Sequence, residues 1–312
     1  MQTFYEFQFS FAFNNEFVPS EYTGEIYHYT SSSGFQSILF GENHRPILWA
    51  SRYDCLNDIS EGTVAEKVLQ EALHDLLTEQ KISGEAYHLF SSTKAAHRIS
   101  VFRRIDDKLS SSDSVYNRFI CSFSKNSDSL SMWNYYAKDN KYEGFNIGFD
   151  CESIRETLHT QFDNSYANFH IYPVIYDSVE QRRLVEGLVL RLNEYYSEEN
   201  GPIICELIAD RLAVWNLIFK NAHFKHEEEV RIIIDLANDE PNIATTYRIN
   251  ARYIIPYIQL ELAKDDLLSV RFGPLHKSIE QAESQEYIMN EWLLSSGYHD
   301  VHVSHSNIPI RY

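Results

Sequence analysis

Residues 223–235, HFKHEEEVRIIID, hold the side chains best placed to do chemistry in this 312-residue chain. Three consecutive carboxylates, Glu227, Glu228 and Glu229, run directly into an apolar, mostly β-branched stretch broken only by Arg231. Such a stretch bounded by polar residues predicts a buried strand. Strand side chains alternate, so the spacing predicts Glu227 and Glu229 on one face with Glu228 turned away. Two carboxylates fixed beside a sheet can polarise a hydroxyl or stabilise a developing cation, which makes Glu229 and Glu227 the candidate catalytic pair. Arg231 follows on the face of Glu229, where it would hold that carboxylate ionised or meet a phosphate. The competing reading is a solvated acidic turn before an ordinary strand.

Other candidates lie far away in sequence. His28 stands at the end of an expected strand, next to Tyr29 and Thr30, and a histidine there can bond a ribose hydroxyl or simply the backbone. Asn57, Asp58 and Glu61 make either an Asx turn and helix cap or a polar cluster. Ser122 and Ser124 alternate on one strand face, and Trp133, Tyr135 and Tyr136 offer rings for a flat ligand or for the core. The histidine pairs His223/His226 and His302/His305 are each three apart, but neither makes HExxH and no cysteine pair supports zinc, so no metal is expected. Walker A, GxGxxG and GxSxG patterns are absent, which weighs against P-loop, Rossmann and α/β-hydrolase readings.

The composition fits a soluble folded protein, 44% hydrophobic and 14% aromatic. A net charge of −18 argues against tight nonspecific binding to nucleic acid or an anionic membrane, though not against a local basic pocket. Four scattered cysteines suggest free thiols in a reducing compartment. With no apolar run of membrane-spanning length and no leader-like N-terminus, a cytoplasmic location is expected.

These residues need elements to position them. Tyr5, Phe7, Phe9, Phe11 and Phe13 alternate strictly, predicting an aromatic strand that joins a sheet or a subunit contact, the one hint of a homodimer. Strands are predicted at 25–30, 46–51, 118–124, 143–150, 168–176, 245–249, 252–259, 268–272 and from 300 onward, with Pro173 suggesting an edge or a bulge. Helices are predicted after Ser31, over 64–77 and 84–110, after Asp128, after Asp150, and near 178–197, 202–221 and 277–296. The pattern implies a single α+β domain over 1–312, with a mixed or antiparallel central sheet and helical insertions at about 62–112 and 178–222.

YHYTS at 27–31, LWAS at 48–51, LND..EG at 56–62, CSFS at 121–124, MWNYYA at 132–137, GFNIGFD at 144–150 and EEEVRI at 227–232 occur in this order. Together with the closing SNIPIR they resemble the bacterial domain-of-unknown-function 2971 family. Val230 departs from it where a tryptophan is usual, and His226 where a tyrosine is usual. More distantly, a His-Tyr-Thr strand, a mid-chain serine or aromatic segment and a late E-x-E resemble the motif order of ADP-ribosyltransferases. That resemblance implies an ADP-ribosyltransferase-like fold with NAD as substrate. It implies that His28, with Thr30 and beside Tyr29, binds the adenosine-side ribose, and that Ser122 or Tyr136 frames the nicotinamide near Trp133. Glu229 would stabilise an oxocarbenium-like transition state, and Glu227 would orient or deprotonate the acceptor. The acceptor would be protein, nucleic acid or water, in a toxin or phage-defence setting. Two other classes compete: a noncatalytic nucleotide sensor, and a metal-dependent hydrolase or nuclease.

Overall fold

The computed structural model describes all residues except 1–3, 5–6, 8–10, 12–16, 42–44, 56–62, 96–100, 106–107, 113–115, 138–142, 238–239, 251–252, 275–278 and 310–312. Side chains of 101–105, 108–112, 116 and 279–280 are also outside the description. The chain divides into two compact units with alternating segments: Glu21–Cys55, Tyr116–Tyr172 and His226–Tyr312 in one, Met1–Ser20, Leu56–Val115 and Pro173–Lys225 in the other.

The first of these is built on a sheet. Its strands β1 (Glu25–Ser31) and β2 (Ile47–Arg52) come early in the chain. The hairpin β3 (Val101–Ile105) and β4 (Lys108–Ser112) belongs to the other unit, as its own two-stranded sheet. The sheet continues with β5 (Tyr116–Ser124), β6 (Gly144–Asp150), β7 (Ala167–Pro173), β8 (Glu229–Ala237), β9 (Thr246–Asn250), β10 (Tyr253–Glu261), β11 (Leu267–Phe272) and β12 (His302–His305). The order is β12-β11-β6-β1-β5-β2-β10-β9, with β8 also on β5 and β7 outermost on β8, where Pro173 ends it. β11 and β12 run parallel and the other registered pairs antiparallel, so the sheet is mixed. β5 is where the sheet branches. β8 pairs with it from Tyr116 to Ser124, while the opposite edge is shared: β2 pairs at Phe119 and Ile120, and β1 only at Ser124.

The two sheet faces differ in chemistry. One carries Ile26, Leu48, Ala50, Phe119, Cys121, Phe123, Ile147, Phe149, Val230, Ile232 and Ile234, all in a continuous buried cluster. Phe35 and Leu39 of the helix Ser32–Leu39, Ile154 and Leu158 of Cys151–Phe162, and Met289 and Leu293 of Ile279–Ser295 complete that core. Two of these helices start as their sequences predict: Ser31 Oγ accepts from Gly34 N at 3.2 Å and Asp150 from Ser153 N at 2.8 Å. The other face is polar, and it holds most of the candidate site.

The second unit is mainly helical, with Val64–Thr78, Gly84–Ser91, Ser178–Asn193 and Gly201–Ile218. The helix expected over 84–110 ends at Ser91, and VFRRI and KLSSS pair as the β3–β4 hairpin. Serines compete with a helical backbone for hydrogen bonds and β-branched ends favour strands, which explains the change. The N-terminal strand expectation also fails at the residues described there: Phe4, Phe7 and Phe11 are helical. They recur every three or four residues, so a helix gathers them on one side. Phe7 stacks on Tyr195 at 4.8 Å beneath Arg191, and Phe11 lies 4.5 Å from the Arg211 guanidinium. Tyr5, Phe9 and Phe13 lie outside the described residues.

Candidate functional site

The acidic stretch does not enter the sheet as predicted. Glu227 ends a 3-10 turn, Ala222–Glu227, and β8 begins only at Glu229. Glu228 between them has φ 46°, a left-handed conformation that breaks the alternation. Glu227 and Glu229 are therefore not a pair along one strand face. The turn is held by backbone groups: Ser124 Oγ donates to the Glu227 carbonyl at 2.8 Å and Lys125 N to the Glu228 carbonyl at 2.8 Å. Those anchors absorb the cost of a left-handed glutamate, on the order of 1 kcal/mol.

Glu229 and Arg231 do share a face, and both are buried. Arg231 donates Nε to Glu229 Oε1 at 2.8 Å and Nη2 to Oε2 at 2.9 Å, a two-pronged pair. Register then lines up partners across β5, with Ser124 opposite Glu229 and Ser122 opposite Arg231. The row continues from Ser124 to Tyr27 on β1 and Gly148 on β6. A Cβ at Gly148 would lie 2.2 Å from Ser269 Oγ and 3.0 Å from the Tyr27 ring, so glycine lets these side chains close over the strand. Tyr29 heads the next row, opposite Asn146, which faces Arg271.

His28 and Thr30 point the other way, with Ile26. His28 lies against Phe123 at 5.8 Å and bonds the Ser122 backbone, where β1 and β2 have parted from β5. It thus satisfies a strand-edge group that neither neighbour reaches. Burial pushes its pKa down to about 4, and the Ser122 bond only partly opposes this. An unfolded histidine charges near 6.5, so the unfolded chain takes up the extra proton between those values and stability falls as pH drops through that window. The expected loss is on the order of 2 kcal/mol, discounted for partial exposure. Urea unfolding of wild type and His28→Gln at pH 7 and pH 4.5 checks it: the variant should lose less. Parallel losses in both would clear His28. Thr30 packs at the helix start, where a Cβ on Gly34 would come 2.1 Å from its Oγ1.

Of the expected stacking aromatics, Trp133 is fully buried and packs edge-on against Tyr29 at 4.8 Å. With Met132 and Ala137 they form a small core that places the helix Leu130–Tyr136 on the polar face. Tyr136 is 50% exposed, and Tyr135 bonds His226 Nε2 at 2.9 Å.

Sequence reasoning missed Asp128, whose carboxylate accepts from Trp133 Nε1 at 2.9 Å, Ser306 Oγ at 2.6 Å and Asn307 N at 2.9 Å, with Arg271 at 3.4 Å. Beside it, Asn146 donates to the Ser127 carbonyl at 2.8 Å, and Tyr29 Oη donates to the Asn126 carbonyl and accepts from Ser129 N. Asp128 looked only like a helix-start residue. Its four partners lie on three segments, so no local pattern could have announced it.

Among the described residues no three His, Cys, Asp or Glu side chains are grouped as a metal would need. Asn57, Asp58 and Glu61 lie outside the described residues. Two open clefts lie elsewhere: one of about 700 Å³ beside Arg45, Gln161 and Lys264, and one of about 430 Å³ beside Val68, Arg182 and Glu186. Among the described residues no helix is long and apolar enough to cross a membrane.

Fold and site define an α+β protein whose mixed sheet carries a buried ion pair and a polar network on one face. Residues 132–232 match the family profile described as Protein of unknown function (DUF2971), which bears out the family reached from the motifs. The matched stretch contains MWNYYA, GFNIGFD and EEEVRI. No curated protein and no solved structure matches the chain.

Proposed function

We propose that this chain is an NAD-using enzyme of ADP-ribosyltransferase-like fold. One observation carries the reading: the segments at 28–30, 122–124 and 229–231, about a hundred residues apart in sequence, lie on the neighbouring strands β1, β5 and β8. On the polar face, Glu229 is the carboxylate that faces the ribose of NAD. As the bond from ribose C1′ to the nicotinamide nitrogen breaks, its electron pair leaves with neutral nicotinamide and C1′ becomes cationic. A buried carboxylate stabilises that charge best where water is excluded. Arg231 fixes the plane of the carboxylate, and Ser122, opposite Arg231, takes the nicotinamide-framing role ahead of the exposed Tyr136. His28 acts as a positioning residue by holding the Ser122 backbone. Glu227, at the end of the 3-10 turn just before β8, would orient or deprotonate the acceptor. Water, a protein or a nucleic acid then supplies the nucleophilic oxygen and releases its proton.

A second reading is favoured by one feature. Both oxygens of Glu229 already accept from Arg231, an arrangement equally suited to a module that binds NAD without turning it over. Incubating the purified protein with NAD, with and without cell lysate, separates them. Nicotinamide release that drops about 10²–10³-fold in Glu229→Gln supports the enzyme. Measurable NAD binding without release leaves the sensor, and neither binding nor release ends the NAD reading.

A further inference from the structure

The motif LWAS at 48–51 has no part in the chemistry above, yet it lies on the same sheet face. Ile120 shares the face of Ser122 and Ser124 by alternation on β5, and Ile120 pairs with Ser51. Trp49 is therefore also on the face of Glu229, past the point where β2 leaves β5. Trp49 is 43% exposed although its neighbours on β10 are in register beside it. Tyr257 props one side, with ring centres 4.5 Å apart and planes inclined by 32°. The Arg248 guanidinium sits 5.4 Å from the Trp49 ring and donates Nη2 to Ser51 Oγ at 2.9 Å.

Arg248 is chemically incomplete. Its Nε is shielded from solvent and has no hydrogen-bond partner. No carboxylate among the described residues forms an ion pair with it. Residues 241–260 contain Arg248 and Arg252 but neither Asp nor Glu, in a chain of net charge −18. An accessible indole beside an arginine with spare donors matches a ligand that joins a flat aromatic ring to an anion.

We infer that Trp49, Tyr257, Arg248 and Ser51 form a subsite for the purine and phosphate of a nucleotide, the adenosine diphosphate half of NAD. The base stacks on Trp49 and a phosphate oxygen accepts from Arg248. This rests on the NAD reading for its place beside Glu229, but its test does not require turnover.

Adenosine diphosphate is titrated into the whole protein by calorimetry and tryptophan fluorescence, with nicotinamide mononucleotide, which lacks the purine, as comparator. Wild type should bind adenosine diphosphate in preference. Trp49→Ala should weaken it about 10-fold or more, within the range for one stacked base, while Trp49→Phe stays within about threefold because a ring remains. Arg248→Gln should weaken binding and flatten its salt dependence. No binding of adenosine diphosphate, or equal binding by a folded Trp49→Ala, overturns the subsite. If nicotinamide release persists in that case, the NAD reading survives its loss. Binding through Trp49 with no release in any condition keeps the subsite and removes the catalysis.

Discussion

Glu229→Ala is expected to lower the unfolding free energy by about 3–5 kcal/mol, whatever it does to turnover. Both members of the Glu229–Arg231 pair are buried, and the alanine takes away both oxygens that Arg231 bonds. The arginine then keeps its charge in a site built for a neutralised pair. Replacing both, as Glu229→Leu with Arg231→Met, should recover most of the loss, because two apolar side chains have no charge to desolvate. Urea unfolding of the two single variants and the double variant measures the coupling. Additive losses would mean that the pair contributes no joint stability. This cost also bears on the catalytic test. From sequence alone Glu229→Gln would leave the melting temperature nearly unchanged, but the bidentate pair predicts a measurable fall. Nicotinamide release must therefore be compared at a temperature where both proteins are folded.

Trp133→Ala should be about as damaging, at roughly 3–5 kcal/mol, and it separates two views of the aromatic helix. A ligand-stacking tryptophan would be exposed and its loss would weaken nucleotide binding at little cost to the fold. Trp133 is instead fully buried against Tyr29, with Nε1 bonded to Asp128. Trp133→Phe should cost much less, about 1–2 kcal/mol, as most of the buried ring survives and one hydrogen bond is lost. Denaturant unfolding beside adenosine diphosphate titration tells them apart. A stable Trp133→Ala that binds nucleotide poorly would restore the stacking role.

Much of the local structure was legible in the sequence because it depends on short-range chemistry. Short apolar or β-branched runs bounded by polar residues marked β1, β5, β6 and β8, and Ser31 and Asp150 announced the helices they cap. The failures came where two local patterns coexist. Phe4, Phe7 and Phe11 belong to a helical repeat inside a strand-like row, and burial against Tyr195, Arg191 and Arg211 favours the helix. Glu227 to Glu229 read as continuous strand because nothing in three glutamates signals a left-handed residue at the middle one.

The sequence by itself determined the ingredients of the site: an E-x-R at a strand start, alternating serines, and an order of motifs that resembles the family whose profile matches residues 132–232. Tertiary structure decided which of them meet. Strand pairing set Ser122 and Ser124 opposite Arg231 and Glu229, and brought Tyr27 into the same row. It turned His28 to the core face, buried Trp133, and made Asp128 a junction of three segments. It also left Trp49 exposed on the same face as the ion pair. Register and burial depend on which distant strands lie side by side, and that information is not contained in any short window of the chain.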